Sequence, residues 1–136
     1  MEVIKYKNTI ISIIIRKNFK NKGISFFTPN SFSMQLAQMT HDKNKVIQPH
    51  YHKNILRKTL STQETLIIKK GKLKVLLFNK KKFLCTKILT DGDIILLASG
   101  GHAFKVLKKT TFVEVKQGPY VPKKDKILFK YKKLNK

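Results

Sequence analysis

Three of the four histidines in this chain, His50, His52 and His102, share one window with Glu64, one of only seven acidic residues. Each lies in or beside a stretch that reads as β-strand. His50 and His52 flank Tyr51, and side chains two apart on a strand project from the same face. A strand carrying two imidazoles, with a carboxylate and a third imidazole on neighbouring strands, could converge on a divalent metal. Imidazole nitrogen with carboxylate oxygen suits Fe, Mn, Ni or Zn. The remaining histidine, His41, stands beside Asp42 in a polar stretch and reads as an exposed loop residue.

Other residue types could serve a ligand held there. Arg57 is one of only two arginines and lies in a polar, basic stretch, 53–61, between His52 and Glu64. Its planar fork matches a carboxylate or phosphate. Glu114 and Lys116 alternate with Val113 and Val115. If the valines pack outside the barrel, the two charges face inward as catalytic acid or base; if the valines face inward, the charges form a solvated face. Gln38, Phe104 and Tyr120 read as walls of a substrate cavity. Asp93, beside Gly92, reads as a turn residue bonding its own backbone.

These residues need a scaffold of strands. The stretches 9–15, 24–27, 32–40, 46–52, 62–68, 73–78, 83–89, 94–97, 102–107 and 111–116 are short and rich in β-branched or alternating residues. Polar or glycine-containing turns separate them, including 41–45, 69–72, 90–93, 98–101 and 108–110. No stretch holds a helical period. Many short strands at this spacing are the signature of an all-β sandwich or barrel.

The same residues resemble the cupin superfamily, and among its members a small, single-domain, metal-binding form. His50-Tyr51-His52 supplies the His-x-His of the first motif, and Glu64 and Gly71 keep that motif's Glu-to-Gly interval. Gly92, followed by Gly100-Gly101-His102, resembles the second motif. Two features depart from the pattern. Residues 53–63 lengthen the gap between His-x-His and Glu, as a longer hairpin loop would, and a Gly-Gly pair stands where the second motif has proline. The resemblance implies a single-domain double-stranded β-helix, the jelly-roll or cupin barrel. Within it, 1–22 would be an N-terminal strand region, 23–120 the barrel and 121–136 a lysine-rich C-terminal segment. It also implies one divalent metal held by His50, His52, Glu64 and His102, and a homodimer joined through a sheet edge.

The activity this resemblance implies is that of a small metal-dependent enzyme. An isomerase or epimerase acting on a sugar or nucleotide-sugar is the first expectation. An Fe(II) dioxygenase and a non-catalytic, metal-dependent binder of small ligands are the alternatives. The formal charge is +23, and all but two of the 30 basic residues are lysine. A surface so basic steers small anions toward a cleft. Nucleic acid is not expected as the main partner, because the lysines are spread along the chain and arginine is nearly absent. No membrane partner is expected either, since the apolar run 10–15 is far shorter than the ~20 residues of a span. No small-residue cleavage site follows that run, and the expectation is a cytoplasmic protein. The single cysteine, Cys85, excludes an internal disulfide framework.

Overall fold

The structure, a computed structural model, describes residues 1–121 and 125–131. Every regular element among them is a β-strand: β1 (Glu2–Tyr6), β2 (Thr9–Ile15), β3 (Gly23–Phe26), β4 (Ala37–Thr40), β5 (Glu64–Asn79), β6 (Lys82–Thr90), β7 (Ile94–Leu97) and β8 (Gly101–Lys116). The chain divides into two compact units. One contains Met1–Lys17 and Thr62–Lys136; the other is Asn18–Ser61. Part of the lysine-rich C-terminal segment, 122–124 and 132–136, lies outside the described residues.

In the larger unit a six-stranded antiparallel sheet runs β1-β2-β7-β5-β6, with β8 also paired to β5. It curls into a half-barrel. β5 organises it because its two halves have different neighbours. Residues 64–67 lie between β7 and the end of β8, whereas residues 72–78 lie between β6 and the start of β8. The sequence explains the sharing of so many partners. Leu66, Ile68, Leu73, Val75 and Leu77 are fully buried, and they meet Ile11 and Ile14 of β2, Leu89 of β6, and Ile95 and Leu97 of β7 in one core.

Ile68 and Leu73 both face this core although an odd number of positions separates them, which a regular strand forbids. The β5–β8 ladder resolves the conflict with register shifts between Ile68 and Leu73. Extra residues in a ladder bend the strand and sharpen its twist. Gly71 sits at this bend with φ of +112°, and a Cβ there would collide with the Lys109 carbonyl oxygen. Only glycine fits such a position.

Several sequence expectations need correction. Stretches 62–68 and 73–78 are one strand, β5, and 102–107 and 111–116 are one strand, β8. The polar residues between them mark bulges where turns were expected. Stretch 32–40 forms a strand only over Ala37–Thr40, paired with β3. The proposed strand 46–52, with His50 and His52 on it, does not form: residues 45–60 have no regular secondary structure and are exposed throughout. Pro49 lacks an amide donor for a ladder, and the stretch carries no continuous apolar face to bury.

Candidate functional site

The β5–β8 ladder sets up the site. Glu64 begins β5 opposite Lys116, and at the far end of the ladder Leu77 stands opposite His102. On a straight ribbon those two ends would lie roughly 40 Å apart at ~3.3 Å per residue. The curl brings them together, with His102 Nε2 3.2 Å from Glu64 Oε2. Glu64 is buried, whereas the His102 side chain keeps 29% of its surface, so the pair can be reached from the imidazole side.

Side-chain direction follows from the pairing. Glu64, Leu66 and Ile68 share a face with their β8 partners Lys116, Glu114 and Phe112. Leu66 and Ile68 are fully buried and Phe112 packs on the core, so this is the concave face. Glu114 and Lys116 therefore face inward, while Val113 and Val115 are exposed on the other side. Lys116 Nζ lies 2.8 Å from Glu114 Oε1 and 3.8 Å from Glu64 Oε1. Phe104 pairs with Val75, faces inward, and lies beside the His102 ring at 5.2 Å between centroids. The Lys116 ammonium also sits over the Tyr120 ring, 5.4 Å from its centroid.

The electrostatics fix two charge states. The hydrogen bond from His102 is the main influence holding the Glu64 carboxyl below its ordinary pKa. Burial opposes it, and the charges of His102, Lys116 and Lys126 assist. Glu64 is thus an ionised carboxylate at neutral pH. Lys116 is raised, chiefly by its hydrogen bond to Glu114, and stays an ammonium. A lysine held in that state anchors an anion better than it abstracts a proton.

The remaining expected site residues belong to the Asn18–Ser61 unit. His50 and His52 are exposed, and their rings meet edge to face at 5.5 Å between centroids. His50 Nδ1 lies 2.8 Å from the Gln48 carbonyl oxygen. Arg57 is exposed on the same irregular segment. The Gln38 side-chain amide donates to the Phe19 carbonyl and to Asn21 Oδ1, which ties β4 to the segment before β3. His41 is exposed, and Asp93 accepts from the Thr90 amide, as a turn residue would.

As a metal centre, the Glu64–His102 pair has suitable donors: an ionised carboxylate oxygen and an imidazole nitrogen on converging strands. It supplies two ligands. Among the described residues, no group of three or more His, Cys, Asp or Glu is placed to hold a metal. Sequence reasoning did not find Lys126, whose charge reaches Glu64, or Gln117, whose Oε1 accepts from the Gln63 amide beside Glu64 at 2.7 Å. Neither carries a local signal, because both follow β8 and reach Glu64 only through the tertiary fold. A scan against protein-family models and searches of curated proteins and of solved structures find no match for this chain.

Proposed function

We propose that this chain is a small jelly-roll protein of the double-stranded β-helix type. In this reading it binds one divalent metal and, next to it, a small anionic molecule of the sugar or nucleotide-sugar class. The convergence of Glu64 and His102 carries the reading. Two residues chosen as ligands from sequence motifs, far apart along the β5–β8 ladder, lie within hydrogen-bonding distance. His50 and His52 are assigned as the other ligands on the strength of the His-x-His motif. When bound, such an ion would polarise a carbonyl oxygen or neutralise developing negative charge.

The chain's own residues have separate tasks. Glu64 is ionised and ready to ligate. The Lys116 ammonium attracts the substrate's anionic group, Phe104 walls the site beside His102, and Arg57 is assigned to a second anionic group. Isomerase or epimerase chemistry needs a base, and Glu114 is the candidate once substrate draws Lys116 away from it.

A binding-only reading also has support. Glu114 and Lys116 are ion-paired at 2.8 Å, so the free site holds no unengaged base on β8. Incubation of the metal-loaded protein with sugar phosphates and nucleotide-sugars, followed by NMR of the sugar protons, separates the two. Solvent deuterium entering a carbon position marks epimerisation; line broadening without exchange marks binding alone.

A further inference from the structure

Lysines face each other across the convex side of the β5–β8 ladder. Lys72 pairs with Lys108, and Lys74 pairs with Lys105. Leu73 and Val75 beside them are fully buried in the core, so Lys72 and Lys74 project from the opposite face. Lys69, Lys70 and Lys109, all exposed, extend the row around the Gly71 bend. Among the described residues no carboxylate is ion-paired with any of these seven lysines. Asp91 lies close to the bend, but its Oδ1 accepts from the Gly71 amide at 2.6 Å.

Like charges placed directly opposite each other destabilise a sheet. Paired residues are about 5 Å apart and alternate residues along a strand about 7 Å apart. Both spacings are shorter than the screening length of about 8 Å in physiological salt, so the potentials add. A ribbon that tolerates this repulsion suits a partner whose negative charges repeat along a line. We propose that the convex face of the β5–β8 ribbon binds the phosphate backbone of double-stranded nucleic acid without reading sequence. This surface is separate from the concave site and independent of the function proposed for it.

Two observations favour a duplex backbone. The patch is all lysine, which supplies point charges to phosphates and lacks the bidentate fork that reads bases. The neighbouring outward positions, Leu76, Ala103, Thr86 and Ile88, include no aromatic ring on which an unpaired base could stack. The row, fixed on a hydrogen-bonded ladder, also fits a polymer better than the laterally mobile charges of a lipid surface.

The test is fluorescence anisotropy with a labelled 20-base-pair DNA duplex of arbitrary sequence, titrated at several salt concentrations. The patch variant is Lys72→Gln/Lys74→Gln/Lys105→Gln/Lys108→Gln. The control, Lys43→Gln/Lys45→Gln/Lys53→Gln/Lys58→Gln, removes the same charge from exposed positions of the other unit. Neutralising four phosphates gives about 3.6 units of salt slope at about 0.9 per phosphate. The patch variant should therefore lose about 3.6 units and the control should change little. Should the quadruple variant fail circular dichroism, Lys72→Gln/Lys108→Gln should show half the loss. Equal losses in patch and control variants would show bulk charge alone and overturn the proposal. So would absence of duplex binding by the wild type, or binding to anionic vesicles that excess duplex does not displace.

Discussion

Glu64 and His102 touch at 3.2 Å although they mark opposite ends of the β5–β8 ladder, where Glu64 is paired with Lys116 and His102 with Leu77. Glu64 is also paired with Leu97 of β7, five residues before His102, and the β5–β8 ribbon bends at Gly71 between its two ends. Replacing Gly71 with alanine would force a non-glycine residue to φ near +112° and drive Cβ into the Lys109 carbonyl. The expected cost is at least about 1–3 kcal/mol. Urea unfolding checks it, and a midpoint equal to wild type would show that the bend does not need glycine.

Relief of the lysine ladder should stabilise the fold. Lys108→Glu places a carboxylate opposite Lys72. The expected gain is about 0.2–1 kcal/mol in low salt, shrinking as salt screens the pair. Thermal melts at two ionic strengths measure it; a lower melting temperature in both would contradict the reading of this face.

Acid should loosen the start of the sheet through Glu2. Its carboxylate bonds Lys87 Nζ on β6 at 2.8 Å and Arg16 Nε at 2.8 Å, while Arg16 also reaches the buried Asp93 carboxylate at 3.0 Å. The Lys87 hydrogen bond leads in holding the Glu2 pKa below its usual 4.5, with Arg16 assisting against burial. A depressed carboxylate stabilises the fold above its unfolded pKa, and that contribution disappears as pH falls through the lower folded value. Glu2→Gln should therefore be less stable than wild type at pH 7, and the difference should close as pH falls well below 4.5. Denaturant midpoints from pH 7 to 3 test this; a constant difference would show that Glu2 does not titrate as described.

Ser12 is fully buried on β2, and its hydroxyl has no hydrogen-bond partner among the described residues. Removing an unsatisfied hydroxyl is nearly neutral or stabilising, unlike removing a bonded one. Ser12→Ala should change stability by less than about 1 kcal/mol in the unfavourable direction. A larger loss on urea unfolding would reveal a partner for the hydroxyl.

Some of this architecture could be read from residue types alone. Strands β2 and β7 match the expected stretches 9–15 and 94–97, because β-branched or aliphatic runs bounded by polar turns have few alternatives. The continuous β5 and β8 were hidden, because glycine and lysines signal a bulge and a turn alike; only the partner strand decides between them. At 46–52 the polar alternation around His50 and His52 suggested a strand, but local pattern does not reveal whether a neighbour exists to pair with it. The Glu64–His102 contact could be anticipated only from motif spacing, since it rests on the pairing of Glu64 with Leu97 and on the turn from β7 into β8, which no local pattern reveals.

The most direct test of the central claim is metal content. The untagged protein, the Glu64→Gln/His102→Gln variant and the His50→Ala/His52→Ala variant would be reconstituted with Fe(II), Mn(II), Ni(II) or Zn(II), dialysed, and analysed for metal by mass spectrometry. The account expects close to one ion per wild-type chain, and loss of that ion in both variants while circular dichroism stays that of the wild type. Loss in only the Glu64/His102 variant would confine the site to the β5–β8 ribbon and remove His50 and His52 from it. A wild-type chain that retains no metal under any of these conditions would contradict the account.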